Sequence, residues 1–418
     1  MAKERVKIAA IKNIRAYEIL TGTGRPTVEV ELTTSEGLTV TASAPSGTSR
    51  GGYEAAELTD CEPRYAGRGV RKAADNVNSE IAPAFTGKML NDPAALDRVL
   101  LELDGTPDKR RLGGNAILPV SAAVYKAAAV TERVPLYRML GPYTTLPSPI
   151  ATVIAGGAHA SGSSLEIEDF ICVAHGFSSF SEGLEAIATV RADLELRLRA
   201  RYADVYDTGG ALSGPFGSNR NAIMAIIESV DSCGYAGRIG IGLDVAANEL
   251  FDPASGCYGM DGEKMDTDRM LAYFSDLCKD FPVMMIEDPF EENDYDSFHL
   301  LKRQSAKALV VGDDLYASNR ERLENGVAAD ATHAVLLKVN QIGTITQALE
   351  TADFARKNGQ DIIVSLRSND TCDPLIADLA VGIGAKMIKL GSPVRGERVA
   401  KYNRLLSIED SQKRGGTQ

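Results

Sequence analysis

The chain has 418 residues, 44% of them hydrophobic and 24% charged, which is enough apolar material for a large core and for more than one domain. A formal net charge of −12 argues against nucleic acid or an anionic membrane as partner, because their phosphates would be repelled; a small anionic substrate in a locally positive pocket remains open. Six scattered cysteines without CxxC spacing, an opening Met-Ala-Lys-Glu-Arg without an apolar signal core, and no run near the ~20 residues of a membrane span lead us to expect a soluble cytoplasmic protein with reduced thiols, most of them buried filler.

From Ile8 to Ala44 apolar and polar residues alternate, most clearly in Thr27-Val-Glu-Val-Glu-Leu32, and Ser35-Glu-Gly37 supplies a turn, so an antiparallel meander is predicted. A Gly/Ser-rich loop, Pro45–Gly52, leads into helices expected over Val70–Ile81, Ala94–Leu103 and the Ala-rich Gly114–Thr131. Strands followed by helices read as an α+β domain over residues 1–140. Residues 141–418 change rhythm, and short apolar runs alternate with longer helical stretches. Eight candidate strands follow: Ile150–Ile154, Ile167–Val173, Ile239–Asp244, Val283–Glu287, Leu309–Asp313, Val335–Val339, Ile362–Leu366 and Met387–Leu390. Repeated strand–helix alternation predicts a parallel α/β architecture, and eight strands suggest a closed barrel.

Three carboxylates sit at the ends of successive strands: Asp244 in Gly-Leu-Asp, Glu287 in Ile-Glu-Asp-Pro and Asp313 in Gly-Asp-Asp-Leu. A single acid at such a position is most simply a helix cap. Three of them on strands whose ends share one barrel mouth make a set of hard oxygen ligands suited to Mg²⁺. Lys338 closes the next strand and Lys389 repeats the arrangement two strands on; each could be a snorkelling side chain or a partner for the acids. Two cations beside a metal would also lower an amine's pKa and leave one lysine neutral enough to act as a base. Arg367-Ser368 lies between them and could grip a phosphate.

Together these segments resemble the enolase family over nearly the whole chain. The shared motifs include Pro45-Ser-Gly-Thr-Ser49, Gly114-Asn-Ala-Ile-Leu-Pro-Val-Ser121, Gly156-Gly-Ala-His159, Gly242-Leu-Asp-Val-Ala-Ala247, Leu336-Leu-Lys-Val-Asn-Gln-Ile-Gly343 and Arg398-Val-Ala-Lys-Tyr-Asn403. The resemblance implies an enolase-type (β/α)8 barrel with an N-terminal α+β capping domain. It implies two Mg²⁺ per active site, one held by Asp244, Glu287 and Asp313 and a second bound with help from Ser49. It further implies that Lys338 removes the α-proton of a 2-phosphoglycerate-like acid, that Lys389 grips the carboxylate, that Arg367 and Ser368 meet the phosphate, and that His159 lies on the substrate side of a mobile loop. A homodimer or a larger assembly, up to an octamer, is implied as well.

Departures from the family pattern touch the chemistry. The family's Gly-Asp-Glu-Gly-Gly loop, whose glutamate assists departure of the 3-hydroxyl, is here Tyr206-Asp-Thr-Gly-Gly210, and the histidine of Ser-His-Arg-Ser is Leu366. Thr208 is far too weak an acid to protonate a departing hydroxide. Glu168-Asp169-Phe170 replaces Gln-Glu-Phe, so one acid is retained on a shorter arm, and Arg50 follows Ser49 in the first loop. A changed reaction is therefore expected, giving a phospho- or phosphonoenolpyruvate product. Arg50 could then meet extra anionic bulk, as in the family's carboxyphosphonoenolpyruvate synthases of phosphonate antibiotic pathways. The alternatives are ordinary enolase, with Asp207, Glu168 or Asp169 as substitute acid, and a non-catalytic binding protein that kept the fold.

Overall fold

The structure is a computed structural model and describes residues 9–47, 51–158, 160, 162–305 and 307–415. Strands β1 (Ile11–Leu20), β2 (Pro26–Thr34) and β3 (Thr39–Ser43) form the expected antiparallel meander. Its inward residues Ile14, Val28, Val30 and Leu32 are buried, β1 packing on the helical residues 71–85 and β2 on the helix Gly114–Glu132, which is itself buried over nearly all of its length. The Ala-rich face of that helix lets the meander approach closely, so two thin layers close one core.

Eight further strands close on themselves: β4 (Ser148–Ala155), β5 (Asp169–Ala174), β6 (Ile239–Asp244), β7 (Val283–Glu287), β8 (Leu309–Gly312), β9 (Ala334–Leu337), β10 (Asp361–Ser365) and β11 (Met387–Lys389). Closure is made by β11 pairing with β4, Met387 beside Ser148. The interior is filled by Ile150, Ile171, Val173, Met285, Val311, Ala334, Leu336, Ile363 and Met387, a packed core with no pore through it. Gly242 is needed in that packing, since a Cβ there would lie 3.2 Å from both Ile171 and Val173.

One expectation fails. The barrel is not uniformly parallel: β5 runs antiparallel to both neighbours, β4 and β6. Among the described residues between Ala155 and Asp169 there is no crossover helix, so the chain returns in the opposite direction. Two helices, Phe180–Arg201 and Asn219–Ser232, then intervene before β6 and restore the parallel order. The thiol reading is also corrected: Cys172 is buried, whereas Cys61 and Cys372 are exposed and Cys233, Cys257 and Cys278 are half-buried, so burial explains one cysteine and not most. Among the described residues no helix is long and apolar enough to cross a membrane.

The meander and its helices sit on the barrel mouth. Ser46 and Asn369 exchange backbone hydrogen bonds of 2.9 and 3.1 Å, and Ala55 N donates to Gln341 O at 2.7 Å. Lys126 donates to Asp373 at 2.7 Å and to Thr41 O at 2.8 Å, and Asp373 also accepts from Ser43 N at 3.0 Å. Lys126→Met would strand the mostly buried Asp373 carboxylate, so we predict a loss of about 3 kcal/mol in stability, read as a lower urea midpoint at unchanged slope.

Candidate active site

The mouth is built from strand ends. Asp244 closes β6, Glu287 closes β7, Asp313 follows β8, Lys338 follows β9, Arg367 lies two residues past β10 and Lys389 closes β11. Asp169 joins them from the other direction. It opens β5, and because that strand is reversed its first residue faces the mouth, paired in register with Asp244. Regular alternation could not have placed it there.

The lysines are the counter-ions of the acids. Lys389 Nζ donates to Asp244 Oδ2 at 2.6 Å and to both Glu287 oxygens at 2.9 and 2.8 Å, with Asp169 Oδ2 at 3.9 Å. Lys338 Nζ donates to Asp313 Oδ2. Glu287 is wholly buried, and burial followed by repulsion from Asp244 holds its carboxyl well above the usual range despite Lys389 and Lys338. Burial pulls the Lys338 amine down, but Asp313 and Glu287 together oppose it and its pKa stands raised. Burial and Asp313's contact with Lys338 likewise oppose each other in Asp313, where the contact wins and the carboxyl is depressed. Paired to Asp313, Lys338 keeps its proton; the neutral amine was expected beside a metal ion.

Around these groups lies a cavity of about 360 Å³ lined by Glu168, Asp169, Thr208, Asp244, Lys338, Leu366, Arg367, Ser368, Lys389 and Arg398, among others. Glu287 and Asp313 lie at its base, in contact with the two lysines. Both departures from the family pattern, Thr208 and Leu366, face the cavity. Ser49, Arg50 and His159 lie outside the described residues.

Several residues here carried no assigned part in the sequence. Glu54 reaches in from beyond β3, and Arg367 donates to it through Nη1 at 2.8 Å and Nη2 at 3.3 Å, with Asn340 Oδ1 at 3.2 Å from Nη1. The guanidinium expected to grip phosphate is thus already held by a carboxylate. Asp288 accepts from the backbone N–H groups of Asp313 and Asp314 at 3.0 and 2.7 Å, fixing the loop that presents Asp313. Asp288, Asp313 and Asp314 bring ligand oxygens within 4.8 Å of one another, although Asp288 spends its oxygens on that loop. Asp288 adjoins Glu287 and Asp314 adjoins Asp313, so the doubled acids in both motifs were the available signal. Glu54 had none beyond nearness to Ser49.

Comparison with known proteins accounts for this arrangement. The description "Enolase, N-terminal domain" matches residues 11–140, and "Enolase, C-terminal TIM barrel domain" matches residues 143–416. The chain belongs to the enolase family. It is 43% identical over 409 residues to an enolase of Methanopyrus kandleri, covering 96% of this chain and 95% of that one. Similar matches are to enolases of Methanothrix thermoacetophila, 43% over 406 residues with 96% of each chain covered, and of Methanocaldococcus jannaschii, 42% over 405 residues with 96% and 95% covered. The chain is thus an enolase-family enzyme, and relatives that all bear the name enolase favour the ordinary activity over the phosphonate-pathway reading.

Glu168 is pushed up to about 8, first by burial and then by Asp244 and Asp169. A carboxyl with a raised folded pKa holds its proton while the unfolded chain has lost it, so its contribution to stability falls as pH rises from the ordinary carboxyl range to about 8. With a chelator present, Glu168→Gln should therefore melt higher than the parent at pH 8, the difference vanishing by about pH 5. Thermal melts at both pH values check this.

Proposed function

We propose that the protein is a Mg²⁺-dependent lyase that removes the α-proton of 2-phosphoglycerate and expels the 3-hydroxyl to give phosphoenolpyruvate. The observation that carries the reading is the convergence of Asp244, Glu287 and Asp313 with Lys338 and Lys389 at the floor of one cavity. The donor set fits the metal. Asp244, Glu287 and Asp313 offer hard oxygens on adjoining strands, and with Asp169 beside them the acids outnumber Lys338 and Lys389. These three acids would hold one Mg²⁺, and Ser49 is proposed to help hold a second. The metal supplies positive charge against the dianion that develops beside the carboxylate.

The chain's own residues supply the rest. Lys338 is the proposed base; to act it must release Asp313 and give up its proton, and a cation at Asp313 favours both. Lys389 is assigned to the substrate carboxylate. Arg367 and Ser368 are assigned to the substrate's phosphate, Arg367 exchanging Glu54 for phosphate oxygens, and His159 to the substrate side of its loop.

Thr208 cannot donate the proton that the departing hydroxide needs, and the surroundings of the three substitute acids support one of them. Asp207 pairs with Arg395 and accepts from Gly210 N at 2.9 Å; although burial opposes them, these contacts hold its carboxyl down and ionised. Asp169 spends one oxygen on Thr152 Oγ1 at 2.9 Å and faces Lys389. Glu168 lines the cavity and at about 8 keeps its proton near neutrality, so we assign it as the acid.

A second reading keeps proton abstraction and changes the group that leaves, as in a phosphonoenolpyruvate-forming branch such as carboxyphosphonoenolpyruvate synthase. It is favoured by Thr208 and Leu366 both facing the cavity, where Arg50 on the first loop would meet extra anionic bulk. An intracellular dimer or larger homo-oligomer belongs to either reading.

With Mg²⁺ and 2-phosphoglycerate in D₂O, we expect both α-deuterium exchange and phosphoenolpyruvate formation. Lys338→Ala should abolish both, and Glu168→Gln should slow dehydration roughly 10²–10⁴-fold while sparing exchange. Exchange without dehydration in the parent would select the second reading; neither signal would refute proton abstraction from this acid.

A further inference from the structure

Lys109 lies where the capping domain meets the barrel, in the turn between the helices Pro93–Asp104 and Gly114–Glu132. Its stem runs over Gly343, where a Cβ would be 3.4 Å from both Cδ and Cε. The side chain lines a second cavity, of about 440 Å³, which shares no lining residue with the one at the barrel mouth. Lys109 is only 7% exposed, yet among the described residues its amine has no hydrogen-bond or ion-pair partner. It is not sealed in: the side-chain atoms that are both unpartnered and wholly buried belong to other residues, so Nζ still opens on the cavity.

The two acids that act on this amine are committed elsewhere. Asp104 accepts from Thr106 N at 3.0 Å and from Leu112 N at 2.7 Å, and Asp108 pairs with Arg110 at 2.8 Å. Burial therefore prevails over both and holds the amine below the ordinary lysine range, while Glu350, exposed at the rim, exerts no pull on it. The rest of the lining adds donors. Asn319 spends Oδ1 on the N–H groups of Glu321 and Arg322 as cap of the helix Arg320–Ala328, which leaves Nδ2 uncommitted among the described residues. Gln347, in the first turn of the helix Ile345–Lys357, accepts from Thr344 Oγ1 at 3.2 Å through Oε1 and likewise keeps Nε2. Both helices thus present N-terminal residues to the one cavity, the end that favours negative charge.

A buried, unpaired ammonium is costly to keep unless an anion shares its site. One amine and two amide NH₂ groups suit the several acceptor oxygens of a phosphoryl group better than the two of a carboxylate. The volume is more than a free phosphate ion fills and lies in the range of small-molecule sites.

We propose that this cavity is a second ligand site, which takes the phosphoryl group of a small phosphorylated molecule on Lys109 with Asn319 and Gln347 beside it. The site does not depend on the reaction assigned to the barrel mouth. Its walls include Tyr53 and Ala55, on either side of the Glu54 that holds Arg367, so an occupant lies against the segment joining the first loop to the catalytic cavity.

The test is calorimetric binding of glycerol 3-phosphate and of inorganic phosphate, with a chelator present so that neither is drawn to a metal at the barrel mouth. The parent should bind glycerol 3-phosphate, and more tightly than inorganic phosphate. Lys109→Met should weaken that binding about tenfold or more, and Gln347→Leu about threefold. Without ligand, Lys109→Met should melt no lower than the parent, because it removes an unpaired charge and keeps the stem. Tighter binding of inorganic phosphate, lost in Lys109→Met, would support the site and make the free ion its occupant. Equal affinities in the parent and Lys109→Met, or no binding of either probe to the parent, would overturn the proposal. A Lys109→Met variant that melts lower while keeping its affinity would overturn it too, and would leave the lysine a purely structural part.

Discussion

The barrel mouth depends on one electrostatic constraint: several buried carboxylates must share two lysines. Asp169, Asp244, Glu287 and Asp313 crowd the ends of β5 to β8, and burying any of them unpaired would cost several kcal/mol. Lys338 answers that demand from the end of β9, directly beside β8, and Lys389 from β11, which closes the ring against β4. The pairing therefore ties strands distant in sequence to one another. It also makes the site responsive to any further positive charge, because the acids would give up the lysines to it.

The surroundings hold this balance in place. Lys338 N donates to Ser318 Oγ at 2.8 Å, Ser318 Oγ donates to Gln341 Oε1 at 2.5 Å, and Gln341 Nε2 donates to Asp313 Oδ1 at 3.3 Å. The backbone of the lysine is thereby linked through two neutral side chains to the acid that its amine contacts. Gln341 Nε2 also reaches Glu54 at 3.3 Å, and Glu54 holds Arg367, so the N-terminal part of the chain is wired into the same network. Fully satisfied polar networks of this kind fix geometry more than they add net stability.

Much of this was legible in the sequence, and the reasons can be stated. The strand tips could be read because the apolar runs of β6, β7, β8, β9 and β11 end at an acid or a base, and β6 and β7 begin and end where the pattern placed them. The meander was equally clear, since period-2 alternation is unambiguous when one face is solvated. The reversal of β5 was hidden: a fully buried strand carries no mark of its direction, and only the missing crossover helix before it gave a signal. Of the parts the sequence left open to Lys338, pairing with an acid is the one seen here, its amine on Asp313; which acid it would meet depends on the ring of strands and not on local spacing. Glu54 escaped notice for a related reason: its importance lies in Arg367, which it faces across the fold, and no local spacing records that.

The central claim is that Asp244, Glu287 and Asp313 form a divalent-cation site in which the lysines are displaceable counter-ions. Crystals grown with Mn²⁺ and measured at its absorption edge test this directly. The account predicts an anomalous peak bounded by those three carboxylates, with Lys338 Nζ moved away from Asp313. A peak held by Asp288 and Asp314 instead, or no peak with both lysines still seated on the acids at saturating Mn²⁺, would contradict it.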